Sequence, residues 1–137
     1  MAILNKLLSI IEDMTRKLDE LVNRGYDLND WRDQLASIHA LQVKAQAFID
    51  LCQRLLSNMG ITVEGYSGIA RKLREMGLVT GEEALVKSLV GFRNVVVHGY
   101  ANLDLNLVDK ILKSRDYRRV LELALALKDR VRQYWDP

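Results

Sequence analysis

The stretch "DWRDQLASIHALQVKAQAFIDLCQRLLSNMG", residues 30–60, decides the fold. Trp31, Leu35, Ile38, Leu41, Ala45, Phe48, Cys52 and Leu55 recur every three or four positions, the period that gathers apolar side chains on one face of an α-helix. Asp30 can cap its start and Gly60 its end. A helix of roughly 28 residues runs on the order of 40 Å, the height of a whole bundle. Its neighbours must therefore pack alongside it.

Working outward, the same period continues. Upstream, Leu4, Leu7, Leu8, Ile11, Met14, Leu18 and Leu21 form a stripe that predicts a helix ending near Gly25. Downstream, "YSGIARKLREMG" (66–77) predicts a three-turn helix closed by Gly77. In "TGEE" (80–83), Thr80 stands three residues before Glu83, as in a capping box. The helix opened there carries Ala84, Leu85, Leu89 and Phe92 into "GFRNVVVHGY" (91–100), with Gly99 as its exit. The β-branched run Val95–Val97 has strand propensity, which the flanking helical period overrides. Asp104 or Asn106 can cap a short helix holding Leu107, Val108, Ile111 and Leu112. Asp116 opens a last one with Val120, Leu123, Leu127 and Val131. The reading is an all-α, antiparallel bundle of about five helices, with residues 1–137 as one domain.

Composition agrees. The 137 residues are 49% hydrophobic and 28% charged, and the one proline is Pro137. A chain of this size buries a core without disulfides, and a lone cysteine, Cys52, allows none within the chain. Cys52 reads as a packed core thiol in a reducing compartment, hence a cytoplasmic protein. The N-terminal stretch meets Glu12 and Asp13 too early for a signal peptide and is too short to span a membrane. Residues 1–70 hold 7 basic and 9 acidic side chains, whereas residues 71–137 hold 13 and 9. That bias suits a phosphate-bearing partner but is thinner than the basic stripe of a dedicated duplex binder.

The chemistry concentrates in residues 91–100. At about 100° per residue, Asn94 and His98 lie one turn apart on one face, with Arg93 on the adjoining rim. Arg93 offers a permanent cation whose planar fork matches phosphate oxygens, and His98 can exchange a proton near neutral pH. Metal-free RNA cleavage requires those capacities: a base for the 2′-OH, an acid for the leaving 5′ oxygen and a cation for the phosphorane. A histidine at a helix C-terminus also interacts favourably with the helix dipole, so a structural role for His98 stands beside the catalytic one. Elsewhere the sequence is poorer in chemistry. His39 reads as a core or interface histidine and Trp31 and Trp135 as packing or interface residues. No HxxxH or CxxC spacing offers a metal site, and no Gly-rich phosphate loop is present.

The order Gly91, Phe92, Arg93, Asn94, Val95–Val97, His98, Tyr100, Leu103, Asp104 resembles the signature of the HEPN superfamily, in particular of HepT-like toxins encoded beside a minimal nucleotidyltransferase. "ALQVKAQAFIDLCQRLL" (40–56) looks like that family's long second helix, and "YSGIARKLREMGLVTGEE" (66–83) like its third helix and following turn; the resemblance covers about residues 30–130. It implies a homodimeric, metal-independent endoribonuclease toxin without a cofactor, with RNA as substrate and a nucleotidyltransferase antitoxin as partner. Arg93 and His98 would be catalytic, and Asn94 would orient the substrate or the histidine. Tyr100 would be the acceptor on which the partner places AMP. The competing expectation is a non-catalytic helical adaptor that binds nucleotides through Arg93 and the basic C-terminal half.

Overall fold

The computed structural model describes residues 3–135, so Pro137 lies outside it. Six α-helices follow in order: α1 (Ile3–Arg24), α2 (Trp31–Asn58), α3 (Ile69–Glu75), α4 (Glu83–His98), α5 (Leu105–Ser114) and α6 (Arg118–Arg130). Single 3-10 turns cover Tyr100–Asn102 and Arg132–Tyr134. No strand occurs among the described residues, and Val95–Val97 are helical. Nor is any helix among them long and apolar enough to cross a membrane.

The long helix is α2, and it forms as its sequence requires. Asp30 accepts a bond from the Arg32 amide at 2.9 Å, and Gly60, at φ 78°, turns the chain away after Asn58. Buried residues ring α2 on more than one side, because α1, α4, α3 and α6 all pack against it. α1 is its antiparallel hairpin partner across the short turn at 25–30. One apolar cluster joins Leu4, Ile11, Phe48, Leu55, Leu73 and Leu127, and a second joins Leu18, Leu41, Val96, Val108 and Tyr117. Cys52 is fully enclosed in the first, and burial pushes its thiol pKa far up.

Several local expectations yield to tertiary contacts. α3 starts at Ile69, not at Tyr66, whose ring is used elsewhere. No capping box forms at α4: Glu83 pairs with Arg74 at 2.9 Å and Lys87 at 3.4 Å, and Glu82 takes the cap position with no side-chain bond to the helix amides. Long-range charge thus wins over a local hydrogen bond. α6 begins at Arg118, because Arg115 adopts a left-handed φ of 58° and residues 115–117 turn the chain. Gly99 exits α4 at φ −145°, a backbone that any residue adopts. Trp31 is 68% exposed and His39 is exposed, so neither packs into the core of one chain. Trp135 is half-buried, its indole N–H donating to Asn5 at 2.8 Å.

Candidate active site on helix α4

The second half of α4 crosses α2 near Gln46, and Arg93 meets it there. Arg93 is half-buried: Nε donates to Gln46 Oε1 at 2.9 Å and Nη1 to Asn94 Oδ1 at 3.1 Å. Its guanidinium carbon lies 4.9 Å from the centroid of the Tyr66 ring, within cation–π range. Asn94 is exposed and bonded to its neighbour. His98 is the last residue of α4, also exposed, and has no hydrogen bond or ion pair among the described residues.

The helix thus joins Arg93 to Asn94 and keeps Asn94 and His98 on one side, one turn apart. It does not bring His98 to Arg93, which by helical rotation stands about 140° round the axis from it. Beyond the exit, Tyr100 opens a 3-10 turn and is 46% exposed, as its small neighbours Ala101 and Asn102 allow. Val95, Val97 and Leu107 are also exposed, so apolar surface borders the motif.

A cleft of about 600 Å³ lies beside the motif, between α2, α4, α5 and α6. Leu41, Leu85, Phe92, Val95 and Ile111 are among the residues lining it, with Lys44 and Tyr117. Arg93, Asn94 and His98 do not line it, so this cleft is not the site of the polar chemistry. No group of three His, Cys, Asp or Glu able to hold a metal ion occurs among the described residues.

Sequence reasoning missed Gln46, Tyr66 and Asp50, whose amide, ring and carboxylate surround Arg93 directly or through one bond. The available signal was small: Gln46 and Asp50 are polar residues one turn apart amid the buried run Ala45, Ala47, Phe48, Ile49 and Leu51. Lys44 was missed as well. It is 1% exposed, donates to the Tyr117 carbonyl and lies 4.7 Å from the centroid of that ring.

The model of the family described as "Ribonuclease HepT-like" matches residues 5–126. A candidate RNase of Archaeoglobus fulgidus is 28% identical over 93 residues, spanning 67% of this chain and 69% of that protein. Among solved structures, the tri-AMPylated HEPN toxin of Shewanella oneidensis, in complex with its MNT antitoxin, superposes with a TM-score of 0.76. It covers 90% of this chain and 97% of the toxin at 22% identity, a likeness of fold. The family match runs through the long helix α2 and the whole Arg93–Tyr100 segment, and by it the chain belongs to the HepT-like ribonuclease family.

Proposed function

We propose that this protein is a metal-independent endoribonuclease, the toxin of a toxin–antitoxin pair, with Arg93, Asn94 and His98 as its active-site residues. One observation carries the reading. Arg93 is fixed by neutral partners, which leaves its charge unneutralised, beside a helix end that presents an unpaired His98 to solvent.

In this mechanism the RNA 2′ oxygen attacks the adjacent phosphorus while its proton passes to an imidazole. The bond from phosphorus to the 5′ oxygen breaks, and that oxygen takes a proton from a second acid. The products are a 2′,3′-cyclic phosphate and a 5′-hydroxyl, and the Arg93 guanidinium stabilises the phosphorane between them. One His98 cannot be base and acid in the same step. Two copies meeting across a two-fold axis would supply both, and the exposed Val95, Val97 and Leu107 supply apolar area for such a contact. The homodimer, with a composite site, is therefore part of the proposal.

Control follows from Tyr100. A partner minimal nucleotidyltransferase would transfer AMP from ATP to its hydroxyl, forming a phosphodiester and releasing pyrophosphate. The added negative charge and bulk, a few residues from Arg93, would occupy the cation that the RNA phosphate needs. The exposure of the Tyr100 side chain supports an acceptor role. Substrate, ATP and partner together entail a cytoplasmic protein. The test is expression without the partner: growth arrest is expected, abolished by Arg93→Ala or His98→Ala at unchanged thermal midpoint. A folded, dimeric protein that causes no arrest would return the chain to the adaptor reading.

A further inference from the structure

Helix α4 does not simply display Arg93; other segments grip it. Gln46, on α2, takes the Nε–H at 2.9 Å, and Tyr66, in the turn before α3, lies under the guanidinium at 4.9 Å. The amide of Gln46 is itself oriented, because its Nε2 donates to Asp50 Oδ1 at 2.9 Å. That bond turns the carbonyl oxygen, the only acceptor of the amide, toward Arg93. Gln46 Nε2 also reaches the Tyr66 hydroxyl at 3.5 Å, the far limit of a hydrogen bond.

The donors left over define what the site can hold. Arginine carries five N–H donors. Gln46 and Asn94 take one each, from Nε and Nη1, and Nη2 has no hydrogen-bond partner among the described residues. Three N–H donors thus remain, one on Nη1 and two on Nη2, for two oxygens of one phosphate. Gln46 is neutral, so it orients the cation without cancelling its charge, as a carboxylate at the same place would.

We propose that Gln46 and Tyr66 are positioning residues of the ribonuclease site, holding Arg93 with its remaining Nη donors toward the scissile phosphodiester, and that Asp50 acts one bond behind them through Gln46. The inference rests on the endoribonuclease reading above. Free to rotate, the same arginine would still bind RNA phosphates but would spend little time where charge builds in the transition state. Loss of the grip therefore falls on kcat more than on KM.

The test uses Gln46→Met, which keeps length and packing but removes the acceptor, with Tyr66→Phe and Tyr66→Leu as a second pair. Gln46→Met is expected to lower kcat roughly 10- to 100-fold, with KM and the thermal midpoint little changed. Tyr66→Phe keeps the ring and should retain activity; Tyr66→Leu should behave as Gln46→Met does. In an Arg93→Lys background, which has no planar fork to orient, Gln46→Met should add little. An independent readout is the Arg93 Nε–H resonance, assigned by its loss in Arg93→Lys. It should exchange slowly with solvent in the wild type and quickly in Gln46→Met.

Full kcat in Gln46→Met, or an Nε–H equally protected there, overturns the positioning role while leaving the ribonuclease reading intact. Wild-type protein that cleaves no RNA overturns that reading and the catalytic half of this inference with it, while the Nε–H exchange still decides whether Gln46 holds the guanidinium. The two failures are thus distinguishable.

Discussion

Two cations on either side of α2 are held by nearly the same parts. Lys44 donates to the Tyr117 carbonyl and lies over the Tyr117 ring; Arg93 donates to the Gln46 carbonyl and lies over the Tyr66 ring. In each case the hydrogen-bond acceptor is a neutral oxygen. What separates them is water. Lys44 is 1% exposed and burial pulls its pKa down to about 7, only partly offset by the Asp19 carboxylate nearby. Arg93 is only half-buried and keeps Nη2 free of hydrogen-bond partners among the described residues. Similar partners thus make a structural joint where they enclose the cation and a candidate phosphate site where they leave donors open.

The largest test of this contrast is on function. Arg93→Ala and His98→Ala should each abolish RNA cleavage in a gel assay with little change in stability, whereas Lys44→Met should leave cleavage intact. Loss of activity in a folded Lys44→Met variant would break the comparison by bringing the enclosed amine into the chemistry.

Regulation gives the next effect. Tyr100→Phe should keep wild-type cleavage but escape silencing by the nucleotidyltransferase and ATP, and intact-mass spectrometry should find no added AMP. An AMP adduct on the Phe variant would move the acceptor to another residue.

Stability against pH sharpens the comparison from the other side. The folded-state pKa of Lys44, about 7, lies below the ordinary lysine value of 10.5, so between these limits the unfolded chain holds a proton that the folded chain has released. This group therefore makes stability rise with pH across that window, by at most about 1.4 kcal/mol per pH unit. At the alkaline end Tyr26 and Tyr117 act oppositely. Burial, with the Asp109 and Asp19 carboxylates as hydrogen-bond partners, raises each to about 12, so their contribution is lost as pH climbs above the ordinary tyrosine value of 10. Urea titrations from pH 6 to 10 should show the rise in the wild type and its absence in Lys44→Met. Measured against the wild type, that variant should stand best at pH 6 and lose ground as pH rises to 10.

A smaller effect is expected at Asp19, which accepts bonds from the Tyr117 hydroxyl at 2.5 Å, Arg118 at 2.9 Å and Arg115 at 3.3 Å. Burial pushes its carboxyl up, but these donors more than compensate and hold it below the usual carboxylate range. Asp19→Ala should cost about 1–3 kcal/mol by chemical denaturation, since it leaves the Tyr117 hydroxyl without its acceptor. No change would mean that α1 and the start of α6 do not need this tie.

The sequence carried the helices because apolar period and caps are local: Asp30 caps α2, and Gly60 ends it. It also displayed the candidate motif, since Arg93, Asn94 and His98 are close in the chain. What it could not carry was the setting of Arg93. Gln46 is 47 positions away on another helix, and its only local sign is its place with Asp50, one turn on, amid a buried run. The start of α3 was misplaced for a related reason, because Tyr66 serves Arg93 and not a helical turn. Likewise Thr80 and Glu83 fit a capping box by spacing, and it is Arg74 in three dimensions, with Lys87 one turn on, that draws Glu83 elsewhere. Lys44 carries no local sign of burial, because what encloses it is the α5–α6 junction, 73 positions away.

The most direct measurement of the central claim is to incubate the purified protein with RNA in EDTA and to identify the new ends chemically. The account predicts 2′,3′-cyclic phosphate and 5′-hydroxyl ends, formed by the wild type and Lys44→Met and absent with Arg93→Ala or His98→Ala. Cleavage that requires a divalent metal, or that survives in the folded Arg93→Ala variant, would contradict it.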